Sequence, residues 1–416
     1  MRQRIRDSIV HIGRNPYVIL FALALVVRLV YLFMVVNRVG VEHLSLLDED
    51  IENYYRAAIA IRDGFEFQTK GVLIFGPGYP VLLAILMVPV GINPVALLLF
   101  QIVLGALGAV LMAMLAVRWT EHRAVGLVAG GLVALLPISI SLATKLRSDV
   151  PYMVLTIAGL LLFDRAIRSS KAVSYILAVL LLTGAALTRS MGQFMFVMLF
   201  VMVLVRAPRS GRSSPASVVR RLKWPLLSTL LMVLLLGLWI HRNEQVYGFR
   251  YLALAGPDSF LKMAALVSAD LEGKSYEDAL GAYLVTVDSC MDAHESDAMY
   301  TSRVMCKRDL FLSLASAHPF TTAKVILANA SRNSNSAWGW HFTVLAIIGA
   351  VLVYRERKRG LLLVLLCLWG YFAFFSGFTV QQGQRIFYPG LISWSILIAY
   401  ALVFGYRAVR SRFARG

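Results

Sequence analysis

Charge is what this chain has least of. Asp, Glu, Lys and Arg make up 15% of its 416 residues, against about a quarter in soluble domains, and that shortage excludes an ordinary water-soluble fold. No internal repeat and no low-complexity tract stands out, which counts against a transporter assembled from duplicated halves. Histidines such as His43, His294, His318 and His341 are scattered without metal-ligating spacing, so a zinc site has no support. No small-residue cleavage site follows the first apolar run, so that run reads as a retained span rather than a signal peptide. Cysteine is scarce too: Cys367 sits inside an apolar run and reads as packing, while Cys290 and Cys306 share one polar segment.

What fills the chain is apolar surface, 59% of residues. Runs of roughly the ~20 residues needed to cross a ~30 Å hydrocarbon core recur along it. They predict an all-α polytopic membrane protein of about ten transmembrane helices, near 17–36, 95–117, 123–144, 150–167, 172–189, 191–206, 224–241, 340–354, 361–378 and 389–406. Segment 78–93 is apolar but short and holds Pro80 and Pro89, so it is expected to lie in the interface or re-enter from one side.

The distribution of charge sets the orientation. Arg2, Arg4, Arg6 and Arg14 precede the first span, Arg118 and Arg123 flank a short turn, and 206–223 carries Arg206, Arg209, Arg212, Arg220, Arg221 and Lys223 with no acid. Residues 355–359 read Arg-Glu-Arg-Lys-Arg, and Arg407, Arg410, Arg412 and Arg415 end the chain. The positive-inside rule puts all of them, and both termini, in the cytoplasm, which holds only for ten spans with 78–93 left out. The net charge of +18 is then a topology signal plus attraction to anionic membrane lipids, not a nucleic-acid footprint.

Three regions follow: a transmembrane module over 1–241 with its first outward loop at 37–94, an outward helical cap at 242–339, and further transmembrane helices over 340–416. Most acids fall in the two outward segments, eleven of them in 242–339. An oxidising exterior would let Cys290 and Cys306 pair, closing a loop of about 15 residues worth ~3 kcal/mol in the chain-entropy model.

The candidate chemistry gathers on the outward face. Residues 48–54 read Asp-Glu-Asp-Ile-Glu-Asn-Tyr, four acids in five positions, and carboxylates that close must find cations or protons. Asp50, Tyr54 and Ala58 share a helical face, and Gly64 ends the helix. Asp48 and Glu49 can simply complement a helix dipole. The next outward turn, Lys145-Leu-Arg147-Ser-Asp149, forces an acid against two cations; Asp149 can also be read as a helix cap ahead of Pro151, and Lys145 can snorkel to headgroups. Arg189 and Arg385 stand at two further outward turns, the latter just before Tyr388-Pro389. Arg28, deep in the first span, must be paired or functional, with Asp149 or another outward acid as the expected partner. Trp338, Trp340 and His341 read as an interfacial belt.

Carboxylates beside guanidiniums outside a membrane suit transfer from a lipid-phosphate donor. Arg residues stabilise the departing phosphate while a carboxylate takes the acceptor's proton. At these residues the chain resembles the GT-C superfamily of integral-membrane glycosyltransferases, in particular the protein O-mannosyltransferases and the aminoarabinose transferases of lipid A. Asp50, Tyr54, Ala58 and Gly64 match the family's first loop, Pro77-Gly-Tyr79-Pro80 its interfacial helix, Arg147-Ser-Asp149 its second loop, Thr188-Arg189 a later turn, and Arg385-Ile-Phe-Tyr388-Pro389 loosely its late motif.

The resemblance implies a sugar moved, with inversion, from a polyprenyl-phosphate carrier to a lipid, glycan or protein acceptor on the periplasmic side of a bacterial inner membrane. Asp50 would be the base and Asp149 a second acid. Arg147, Arg189 and Arg385, with Lys145, Tyr54 and Tyr388, would bind substrate. A shifted register would make Asp48 the base, because Ile51 and not Glu follows Asp50. Asp48, Asp50 and Asp149 are also oxygen ligands of the kind a hard divalent cation takes. A polysaccharide polymerase or ligase with a lipid-linked donor, or a flippase for lipid-linked sugars, are the competing readings.

Overall fold

Asparagine and proline set where the first long helices begin. In α1 (Pro16–Val39) the Asn15 side chain accepts from the Tyr17 N–H at 3.0 Å. The later helix Pro94–Thr120 starts the same way, with Asn93 accepting from Val95 and Ala96. Each cap meets N–H groups that a helix start leaves without partners, and each proline occupies a position where no N–H is needed.

The computed structural model describes residues 15–206, 215–292, 299–380 and 382–413, and every regular element among them is helical. Of the basic residues used to orient the chain, Arg2, Arg4, Arg6, Arg14, Arg209, Arg212 and Arg415 lie outside the described residues. After α1 come α2 (Glu49–Gly64), α3 (Lys70–Phe75), α4 (Gly78–Val90), α5 (Pro94–Thr120), α6 (Arg123–Leu135), α7 (Pro137–Ala143), α8 (Asp149–Ser169), α9 (Ala172–Thr188) and α10 (Met195–Arg206). Then follow α11 (Pro215–Tyr247), α12 (Ala255–Glu272), α13 (Tyr276–Asp292), α14 (Met299–Ala317), α15 (Pro319–Trp338), α16 (Trp340–Arg355), α17 (Arg359–Gly377), α18 (Gly383–Phe387) and α19 (Leu391–Phe413).

This is a multi-pass membrane protein, and all ten expected spans are helical. By length and composition six helices among the described residues suffice to cross a membrane alone, and the pairs α6–α7 and α14–α15 each pass the same test as bent pairs. The expected spans at 172–189, 191–206 and 340–354 fall on shorter apolar helices. The 13 residues of α4 reach only ~20 Å at 1.5 Å per residue, short of a hydrocarbon core. Val18, Ile19, Val26, Val30, Phe33 and Met34 of α1 are exposed, a face suited to lipid, whereas α19 is buried nearly all round over its first half.

The break between α6 and α7 explains Arg28. Pro137 has no N–H for the Val133 carbonyl, and the 57° bend interrupts the ladder at Ala134. Buried Arg28 fills the gap, donating to Val133 O at 3.1 Å and Ala134 O at 3.0 Å, and to Ala24 O of its own helix at 2.9 Å. Its partners are therefore backbone carbonyls and not Asp149, contrary to the sequence expectation. A proline-released carbonyl inside hydrocarbon demands a donor, and Arg28 lies close enough to supply it.

The two ends of the bundle separate chemically. At one end Arg118 and Arg168 both pair with buried Asp164, at 2.9 and 3.2 Å, and Lys358 donates to Thr120 O at 2.7 Å. These are the turns that the charge pattern assigns to the cytoplasm. At the other end lie the acidic first loop and the turns at 144–148, 189 and 385. The segment α12–α15 has its own small cores, one around Met263, Val267, Phe311 and Val325. Cys290 of α13 and Cys306 of α14 are disulfide-bonded, with Cα atoms 6.1 Å apart. Asn329 and Asn333 of α15 donate to the Ser376, Gly377 and Thr379 carbonyls at the end of α17.

Candidate active site

Asp48 caps α2: its Oδ1 accepts from the Ile51 N–H at 3.0 Å, and its Oδ2 takes Arg147 from the turn before α8. That arrangement turns the start of α2 so that Asp50, in its first turn, faces the same end of the bundle. Asp149 is fully buried at the start of α8, where its Oδ1 accepts from Arg189 and its Oδ2 from Arg385 Nε at 3.0 Å. Through a terminal nitrogen Arg385 also donates to Asp50 Oδ2. Four chain segments thus meet here: Arg147 pairs with Asp48, and beside them Asp50, Arg385, Asp149 and Arg189 alternate in charge. Lys145 beside them is half-buried and makes no ion pair among the described residues.

Two supporting residues went unnoticed in the sequence. Gln101, two turns into α5, accepts from Tyr79 Oη at 2.7 Å and donates to the Leu142 carbonyl at 3.1 Å and to the Lys145 carbonyl. It thereby holds the turn that presents Arg147 and Asp149; a lone amide in an otherwise apolar run was the available signal. Ser148 is the other, sharing a 2.9 Å hydrogen bond with Tyr54 Oη. Tyr54 itself is buried, 4.6 Å from the Phe75 ring and edge-on to Tyr79 at 4.9 Å. Burial pushes its phenol up to about 12, so it remains a protonated hydroxyl at every working pH. Tyr388 is likewise packed in the bundle core. Both side chains are thus closed off from solvent.

The loop that closes over α2 depends on glycine at two points. Gly71 lies so close to the Asn53 carbonyl that a Cβ would sit 2.3 Å from its oxygen, and Gly76, at φ +97°, lies against the Leu187 carbonyl. Exposed Glu49 pairs with Lys70 at 2.6 Å, which holds its carboxyl below the usual range, and so ties α2 to α3. Trp340 is exposed with His341 against it, as suits an interfacial position, and the Trp338 side chain lies outside the described residues.

In this arrangement the carboxylates meet guanidiniums. Among the described residues no group of three or more His, Cys, Asp or Glu is placed to hold a metal ion, and guanidiniums already engage Asp48, Asp50 and Asp149. Two unit charges 4 Å apart at an effective dielectric of ~20 interact by ~4 kcal/mol, and a dication beside one guanidinium would feel roughly twice that as repulsion.

No protein-family model matches the chain, and no curated protein is similar to it at a significant level. Solved structures of the Archaeoglobus fulgidus oligosaccharyltransferase are similar. One, tethered through a disulfide bond with an acceptor peptide containing the NVT sequon, aligns at TM-score 0.54 and 13% identity over 97% of this chain and 51% of that one. Another, in complex with Zn and sulfate, aligns at 0.54 and 13% over 95% and 50%. The enzyme AglB in complex with an inhibitory peptide and a dolichol-phosphate aligns at 0.52 and 12% over 96% and 52%. This chain spans about half the length of those proteins. The chain therefore shares the fold of that archaeal oligosaccharyltransferase over about half of the latter's length.

Proposed function

We propose that this protein is a glycosyltransferase that moves a sugar from a polyprenyl-phosphate carrier to an extracytoplasmic lipid, glycan or protein. It would lie in a bacterial inner membrane, with both termini in the cytoplasm and the site facing the periplasm. The observation that carries this reading is the row of three carboxylates and three guanidiniums, with Lys145 beside it, at one end of an apolar bundle. The dolichol-phosphate held by a protein of the same fold supports a lipid phosphate as donor.

In this reading the donor phosphate enters beside Arg189, Arg385, Arg147 and Lys145. The acceptor O–H or N–H attacks the anomeric carbon, its proton passes to Asp50, and the bond from that carbon to the phosphate oxygen breaks. The bonding pair stays on the departing phosphate, where guanidinium N–H groups meet the growing charge. Attack opposite the leaving group inverts the sugar carbon. Asp48 uses one oxygen for the helix cap and the other for Arg147, which favours Asp50 as the base.

Asp50→Asn tests this. With purified protein in lipid nanodiscs, transfer should fall by about 10²–10⁴-fold, the typical share of a general base, while affinity for polyprenyl phosphate changes by no more than a few-fold. Near-normal turnover would remove Asp50 from that role. Absence of polyprenyl-phosphate binding to the unmodified protein would remove the donor assignment.

A further inference from the structure

Asp50 and Asp149 approach one another from two separate outward segments, and what lies between them is the guanidinium of Arg385. Two facing carboxylates are the common oxygen set of a hard divalent cation. Here the row is occupied oxygen by oxygen. Asp48 Oδ1 holds the Ile51 N–H, Asp48 Oδ2 holds Arg147, Asp149 Oδ1 holds Arg189, and Asp149 Oδ2 and Asp50 Oδ2 both hold Arg385. Of the six carboxylate oxygens, only Asp50 Oδ1 carries none of these contacts. The three guanidiniums are each largely shielded from water, at 11–15% side-chain exposure, so they act as fixed charges and not as passing surface partners.

We propose that Arg385 is a built-in cation that takes the place of a divalent metal between Asp50 and Asp149. It draws the two carboxylates together, neutralises their repulsion and leaves Asp50 Oδ1 as the atom that receives the acceptor's proton. A guanidinium has five N–H donors, and two serve the carboxylates, so Arg385 retains capacity for a donor phosphate. One side chain then links the base to the leaving group. The support for Arg385 is itself structural: α18 is a single turn packed against α15, and Asn329 and Asn333 of α15 hold the Ser376–Thr379 carbonyls just before it. The catalytic meaning of this proposal rests on the glycosyltransferase reading, whereas its binding consequence rests on geometry alone.

The test is a Mn²⁺ titration of the full-length protein in lipid nanodiscs, read by loss of the free-ion paramagnetic resonance signal. The unmodified protein should show no site that Asp50→Asn removes. Arg385→Met should create one, with a dissociation constant of about 10⁻⁴–10⁻³ M as for weak oxygen-ligand sites, and Arg385→Met combined with Asp149→Asn should lose it. Arg385→Gln serves as a second vacating variant should the methionine variant not fold. A Mn²⁺ site in the unmodified protein that Asp50→Asn abolishes would overturn the proposal. So would failure of a folded Arg385 variant to gain a site. The titration needs no sugar donor, so either overturning result leaves the transfer reading to be judged by its own assay.

Discussion

Replacing Arg28 with methionine is expected to destabilise the protein by about 1–3 kcal/mol through the two carbonyls it serves at the helix break. Arg28 donates across to Val133 and Ala134 at 3.1 and 3.0 Å. Hydrogen bonds between membrane helices average ~0.6 kcal/mol and reach ~1.7 kcal/mol each, which sets the range for the pair. Methionine keeps much of the side-chain volume, so cavity formation adds little. The sharper outcome is the coupling to residue 137. Pro137→Ala restores an N–H that can serve the Val133 carbonyl, so in the Arg28→Met background it should recover part of the loss, or cost less than it does in the unmodified protein. Unfolding free energies of the four proteins, measured by denaturant titration in detergent micelles, give the coupling directly. If the two substitutions add within the ~0.3–0.5 kcal/mol expected of independent sites, the explanation of Arg28 as the proline's compensating donor is wrong.

Other outcomes follow from particular contacts. Gln101→Leu strips partners from the buried Tyr79 hydroxyl and from the Leu142 and Lys145 carbonyls, and should cost about 2 kcal/mol or more in the same unfolding assay. Thiol labelling of the denatured, unreduced protein should find one free cysteine, Cys367, and the Cys290→Ser/Cys306→Ser double variant should lose ~3 kcal/mol of cap stability, read as a lower melting temperature. Asp48→Asn keeps a side chain that can still cap Ile51 and loses only the charge opposite Arg147, so transfer should fall less than tenfold; a loss matching that of Asp50→Asn would return the base assignment to Asp48.

Much of the molecule was legible along the chain because the governing rules are local. Apolar runs a bilayer thick must be helical, since no water inside the membrane can satisfy an unpaired backbone. Alternating basic and acidic turns sort the ends, and the same turns meet at opposite ends of the structure, with Lys358 on Thr120 at one and Arg385 on Asp149 at the other. Periodicity places Tyr54 on the face of Asp50 but leaves its depth open, without saying that Phe75, Tyr79 and Ser148 cover it.

The sequence by itself determined the helical class, the polytopic layout and the set of outward acids and cations, because composition and 3.6-residue periodicity act over a few turns. Only the tertiary structure decided the partners. Arg385 meets Asp50 across 335 positions and Asp149 across 236, and Arg28 turns to carbonyls over 100 residues away that a proline released. Such pairings depend on where packed helices stop and bend. Where several acids and several guanidiniums stand on one face, local pattern leaves every pairing open, and the packing of the bundle selects one.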